Sequence, residues 1–157
     1  MDLLTYIEKG GLIVYLLIAL NIIGFTIIIW KFLTLPHKEK ITYKILRKLN
    51  LAKNIDTQIE YEIKKLETGL NLIKNIASVA PLLGLLGTVV GVLKAFEAIT
   101  ANGLGDPTIF STGISIALIT TIAGLIVAIP HHICYNYFIA VLDELELKAK
   151  KEASEIK

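Results

Sequence analysis

Three stretches of the chain stay free of charge for long enough to cross a bilayer. From Gly11 the sequence GLIVYLLIALNIIGFTIIIW runs uncharged up to Lys31, and a helix needs about 20 apolar residues to span the hydrocarbon core. A second run, Ile76 to Val92, is equally free of charge, with Lys94 and Glu97 near its far end. The third extends from Thr108 to about Val141 and is uncharged apart from any protonation of His131 and His132. It exceeds what a bilayer needs, so one end is expected to project beyond the membrane. The runs predict an all-α integral membrane protein with three transmembrane helices. Expected spans are roughly 11–33, 76–100 and 109–133, the last continuing as a helix to about 155. A polar segment over about 35–75 and an outer turn over about 101–108 connect them.

The polar segments keep a helical rhythm. Ile59, Ile63, Leu66, Leu70, Ile73 and Ala77 recur at steps of four and three, which marks one apolar helix face. No proline interrupts until Pro81, so a single helix is expected from near Asp56 to Thr100, about 65 Å long. Past the third span, Phe138, Leu142, Leu145 and Ala149 share a face in the same way. Pro36 is expected to end the first span, and Asn50 to Asn54 to form the hinge before the long helix. On an isolated subunit these seams would remain wet, which predicts self-association.

Charge sets the direction. Lys38, Lys40, Lys44, Arg47, Lys48, Lys53, Lys64, Lys65 and Lys74 lie between the first two runs, and Lys148, Lys150, Lys151 and Lys157 follow the third. The other side offers Lys9 and Lys94, and the turn ANGLGDPT has no basic residue. Short loops rich in Lys and Arg stay cytoplasmic. The N-terminus and the turn are therefore expected outside, the middle segment and the C-terminus inside. The opening MDLLTYIEKG lacks the basic start of a signal peptide, so the first span reads as retained.

Composition narrows the functional classes. Of 157 residues, 54% are hydrophobic and 19% charged, with a net charge of +2 and a mean hydropathy of +0.65. A soluble domain is about 25% charged. No basic face invites nucleic acid. Cys134 is the single cysteine and forms no intramolecular disulfide. No nucleophile–base pair or carboxylate pair suggests an enzyme, and no cofactor is expected. GLLGT resembles a phosphate loop only faintly, because the lysine of that motif is missing. His131 and Cys134 share a helical face, but without a third certain ligand the histidines read as interfacial anchors rather than a metal site.

Small residues form the sharpest pattern. Ala80, Gly84, Gly87, Thr88, Gly91 and Ala95 line one face of the second span, and Gly113, Ala117, Thr120, Thr121, Gly124 and Ala128 answer on the third. Such faces let backbones approach closely in lipid. Helix packing alone would explain the glycines but not the hydroxyls. Thr88 and Thr121 are expected near mid-membrane, with Thr120, Thr112 and Ser115 nearby. They suit a narrow polar path, although threonine in a membrane helix also bonds back to its own carbonyls. No Asp, Glu, Lys, Arg or His lies at the middle of any span. Ionisable residues mark proton relays in membranes, so any titrating carboxylate must come from another subunit. Lys94 and Glu97, three apart, are spaced to form an ion pair near the outer interface. Pro130 is placed to bend the third span.

APLLGLLGTVVGVLKAF (Ala80–Phe96) and GDPTIFSTGISIALITTIAGLIVAIPHHICYNYF (Gly105–Phe138) resemble the ExbB/TolQ/MotA proton-channel superfamily, its ExbB branch above all. MotA-type members are less similar, having a fourth span and a larger cytoplasmic domain. The resemblance implies a homopentameric ring in a bacterial inner membrane, its second and third helices lining a central pore. Inside would sit the single-span helices of an ExbD dimer, each with a protonatable aspartate. Thr88 and Thr121 match the family threonines that face that aspartate. Proton flow would drive motion passed to TonB, which energises outer-membrane uptake of iron chelates and vitamin B12. Two other readings stay open: a TolQ-type subunit, and a non-conducting membrane scaffold. One departure stands out. Ile116 occupies a position where ExbB and TolQ proteins commonly carry glutamate, leaving the threonines and the partner's acid to carry the path.

Overall fold

The computed structural model describes residues 3–35, 55–103 and 107–155. They form four helices and, among the described residues, no strand: α1 (Leu3–Thr34), α2 (Ile55–Glu67), α3 (Leu70–Asn102) and α4 (Thr108–Glu155). Three of these, α1, α3 and α4, are long and apolar enough to cross a membrane. α1 stops one residue short of Leu35, as expected where a proline follows. The expected hinge at 50–54 lies outside the described residues.

α4 is a single helix of 48 residues running through Pro130, about 70 Å long. It is the mast on which the other elements pack. The single helix expected from Asp56 to Thr100 is instead two. It breaks at Thr68–Gly69, where Gly69 takes φ 91°, a left-handed conformation that costs other L-residues about 1–2 kcal/mol. The break would leave carbonyls of α2 without partners. Lys31 answers one of them: its Nζ reaches the Leu66 carbonyl oxygen at 2.6 Å, and the side chain is only 6% exposed. The Thr68 N–H bonds the Lys65 carbonyl, and the Leu72 N–H bonds that of Gly69, both at 3.2 Å.

The apolar seams of α2 and of the far end of α4 find each other within one chain. Ile59, Ile63, Leu70 and Ile73 pack with Phe138, Leu142, Leu145 and Ala149 in one buried cluster, closed by Ile28 of α1 and by Leu35 just after it. Wet seams therefore supply no reason for self-association. Lys150 ties the same crossing at its rim, 3.7 Å from Glu60 and 2.6 Å from Glu146. On α2 itself, the Glu67 carboxylate holds the Lys64 ammonium above its ordinary pKa. A second cluster, Leu17, Ile76, Ala80, Val127 and Ala128, joins the three long helices within the membrane.

α1 buries one face and turns the other outward. Gly10, Val14, Leu17, Gly24, Ile28 and Lys31 form a buried stripe against α3 and α4, while Leu12, Ile22 and Leu33 face outward. Leu82, Leu86, Val89 and Phe96 on α3, and Leu118, Ile122 and Ile129 on α4, are also exposed. In water so much apolar surface would drive aggregation; in a bilayer it is solvated.

Candidate functional site

α3 and α4 form an antiparallel pair whose contact runs through small residues. A Cβ on Gly84 would lie 2.9 Å from the Thr120 carbonyl oxygen, and one on Gly124 would lie 2.7 Å from that of Ala80. At Gly91 it would meet the Ala117 nitrogen and the Gly113 oxygen, each at 2.7 Å. At Gly113 the Gly91 oxygen would be 2.5 Å away, and at Gly87 the Thr120 side chain fills the space. Real contacts at a carbon surface relax to about 3.5–4.0 Å. Backbones this close gather dispersion and weak Cα–H···O contacts, which act where no hydrophobic drive exists between helices.

The register sets the hydroxyls. Thr120 is fully enclosed between the helices, and its Oγ1 donates to the carbonyls of Ile116 at 3.0 Å and Ala117 at 2.9 Å. Thr120 therefore fills the seam within the subunit. Thr88, one residue beyond Gly87, is half-buried and donates to the Leu85 carbonyl at 2.6 Å. Thr121 is also half-buried, yet its Oγ1 is enclosed and has no hydrogen-bond partner among the described residues. Since Gly84 faces Thr120 and Thr121, Thr88 and Thr121 lie within about one helical turn of the same level. Ser115 and Ile116 are half-buried and Thr112 is exposed on the stretch leading to it. Lys94 and Glu97 are both exposed and make no ion pair with each other.

His131 departs from its expected role as an interfacial anchor. It is fully buried where α1 crosses α4, its Nδ1 donating to the Val127 carbonyl at 2.7 Å and its ring edge-on to Phe25 at 5.1 Å. His132 is exposed and Cys134 half-buried. The sequence reading also passed over Asn21, whose Oδ1 is enclosed and has no partner among the described residues. The signal was present, for an amide inside a charge-free run is costly in lipid. It opens on a groove of about 560 Å³ between α1 and α4, lined also by Val14, Leu17, Ile119, Ala123 and Val127.

A long α3/α4 hairpin, closed by glycines and carrying hydroxyls but no ionisable group at its centre, agrees with what comparison with known proteins finds. Residues 34–151 match the MotA/TolQ/ExbB proton channel family. The chain belongs to this family. Within it, the chain is similar to the biopolymer transport protein ExbB of Aquifex aeolicus, 39% identical over 93 residues that cover 59% of this chain and 62% of that protein. It is 42% identical over 64 residues to biopolymer transport protein exbB1 of Vibrio cholerae, covering 40% of this chain and 28% of that protein. The Tol-Pal system protein TolQ of Haemophilus influenzae is 38% identical over 98 residues, covering 62% of this chain and 40% of that protein. In each case the match spans less than two thirds of the relative. The family is one of membrane proton channels, and both its ExbB and TolQ branches stand near this chain.

Proposed function

We propose that this chain is the channel subunit of an ExbB-type energy transducer in a bacterial cytoplasmic membrane. The N-terminus lies outside and the C-terminal end of α4 in the cytoplasm. Copies assemble as a ring, a homopentamer, around single-span ExbD helices, and the complex uses the proton gradient to drive TonB-dependent uptake of iron chelates and vitamin B12. One observation carries the reading. The centres of all three spans lack an ionisable side chain, while the hydroxyls of Thr88 and Thr121 lie within about one helical turn of each other along the hairpin, and that of Thr121 lacks a partner among the described residues. A hydroxyl both donates and accepts, so the pair is suited to receive a carboxyl group from a companion helix and to pass its proton. Each elementary charge that crosses 100 mV yields about 2.3 kcal/mol, so mechanical work takes several protons.

The test replaces Thr88 and Thr121 by valine, which keeps shape and removes the hydroxyl. With membrane insertion and assembly with the partner unchanged, the double variant is expected to lower gradient-dependent siderophore uptake at least about tenfold, a barrier increase of about 1.4 kcal/mol. Unchanged uptake would overturn the assignment and favour a scaffold. A TolQ-type role is the second reading, supported by the Haemophilus influenzae relative. It is separated by asking whether the chain restores function to cells lacking ExbB or to cells lacking TolQ.

A further inference from the structure

His131 occupies a slot with no room and no acceptor to spare. The Val127 carbonyl can only accept, so Nδ1, 2.7 Å away, carries the hydrogen. In the neutral ring Nε2 is then a bare acceptor. It is enclosed without a hydrogen-bond partner among the described residues, pressed against Gly24 of α1 so closely that a Cβ there would collide with it. Phe25 of α1 stands edge-on to the ring, and Ile76 of α3 reaches the same glycine. The charged and titratable neighbours give no relief. On α1, Lys31 is engaged with the Leu66 carbonyl. On α3, Lys74 lies over the Tyr135 ring at 5.8 Å. On α4, His132 points out to the exposed side. Among the described residues no carboxylate is paired with the imidazole.

We propose that His131 is a proton-operated latch for α1. When neutral, it docks α1 onto the α3/α4 hairpin. A proton added at Nε2 would aim a cationic N–H at the Gly24 backbone with no acceptor, a burial that protein interiors avoid. The ring cannot turn to relieve this without giving up the Val127 bond. Protonation therefore expels it from the slot and frees α1 from α4. The device depends on the packing of this chain alone and stands apart from the proton path assigned to Thr88 and Thr121.

The full chain in lipid nanodiscs, with Cys134 replaced by serine, would carry spin labels at the exposed positions Leu33 on α1 and Leu147 on α4. Between about pH 8 and pH 5 the ratio of released to docked distances is expected to rise reversibly, by up to about tenfold per pH unit, the slope of one linked proton. His131→Phe keeps an aromatic ring in the slot and retains His37 and His132; it is expected to stay docked throughout. A wild-type distribution that does not move, or a His131→Phe protein that responds as the wild type does, would overturn the latch. Nitrogen NMR of wild-type His131 gives an independent reading should the variant fold poorly. An Nδ1–H tautomer in the docked state supports the latch, and a doubly protonated ring with α1 still docked overturns it.

Discussion

Gly91→Ala adds one methyl group where two backbones touch. Its Cβ would lie 2.7 Å from the Ala117 nitrogen and 2.7 Å from the Gly113 oxygen, against about 3.5–4.0 Å for a relaxed contact. Neither atom belongs to a flexible side chain, so α3 and α4 must part by about 1 Å. A gap of that size forfeits about a quarter to a half of the dispersion energy of each facing atom pair. Overpacking of this kind costs about 1–3 kcal/mol. Alanine recovers part of it as the better helix former, by up to about 1 kcal/mol. With that recovery the net expectation is a loss of up to about 2 kcal/mol, a factor of up to about 30 in the folded-to-unfolded ratio. Reversible unfolding by sodium dodecyl sulfate in mixed micelles, followed through the single tryptophan, Trp30, and through helical circular dichroism, reads that difference. Val92→Ala, on the exposed neighbour, serves as the control and is expected to stay within about 0.5 kcal/mol. A Gly91→Ala protein at least as stable as the wild type would refute close backbone approach as what holds the hairpin.

Two further outcomes probe the crossing of α2 on α4. Lys31→Met keeps the stem but removes the charged bond to Leu66, and is expected to cost about 1.5–3 kcal/mol. Hydrogen exchange should quicken at Leu66–Leu70, and unchanged exchange there would contradict the capping role. Phe138→Ala empties the centre of the cluster that α2, α3 and α4 share, where the ring is 1% exposed; a loss of about 3–5 kcal/mol is expected. A change under 1 kcal/mol in the same micelle titration would show that α2 and α4 are not held by that cluster.

The three long helices were legible because uninterrupted apolar runs admit few other readings in a chain of this hydropathy. The apolar faces of Ile59–Ile73 and Phe138–Ala149 were legible as faces, but periodicity names no partner, and their meeting within one chain had to be seen. The break at Gly69 was hidden for a related reason. A glycine within a helical pattern is compatible with both an interior and a cap, and the decision came from Lys31, 35 residues from Leu66 in sequence. Burial of His131 depends on Gly24 of another helix, so no local pattern could reveal it. The hydroxyl positions follow from spacing, whereas the enclosure of Thr120 and of the Thr121 Oγ1 follows from the register of α3 on α4.

In the proposed division of labour this chain supplies the apolar wall and its hydroxyls, and a companion supplies the acid. Proton flux into liposomes tests that division most directly, with the chain reconstituted alone, with its aspartate-bearing single-span partner, and with that partner's aspartate changed to asparagine. Flux is expected only in the second case. Proton conduction by this chain alone would contradict it.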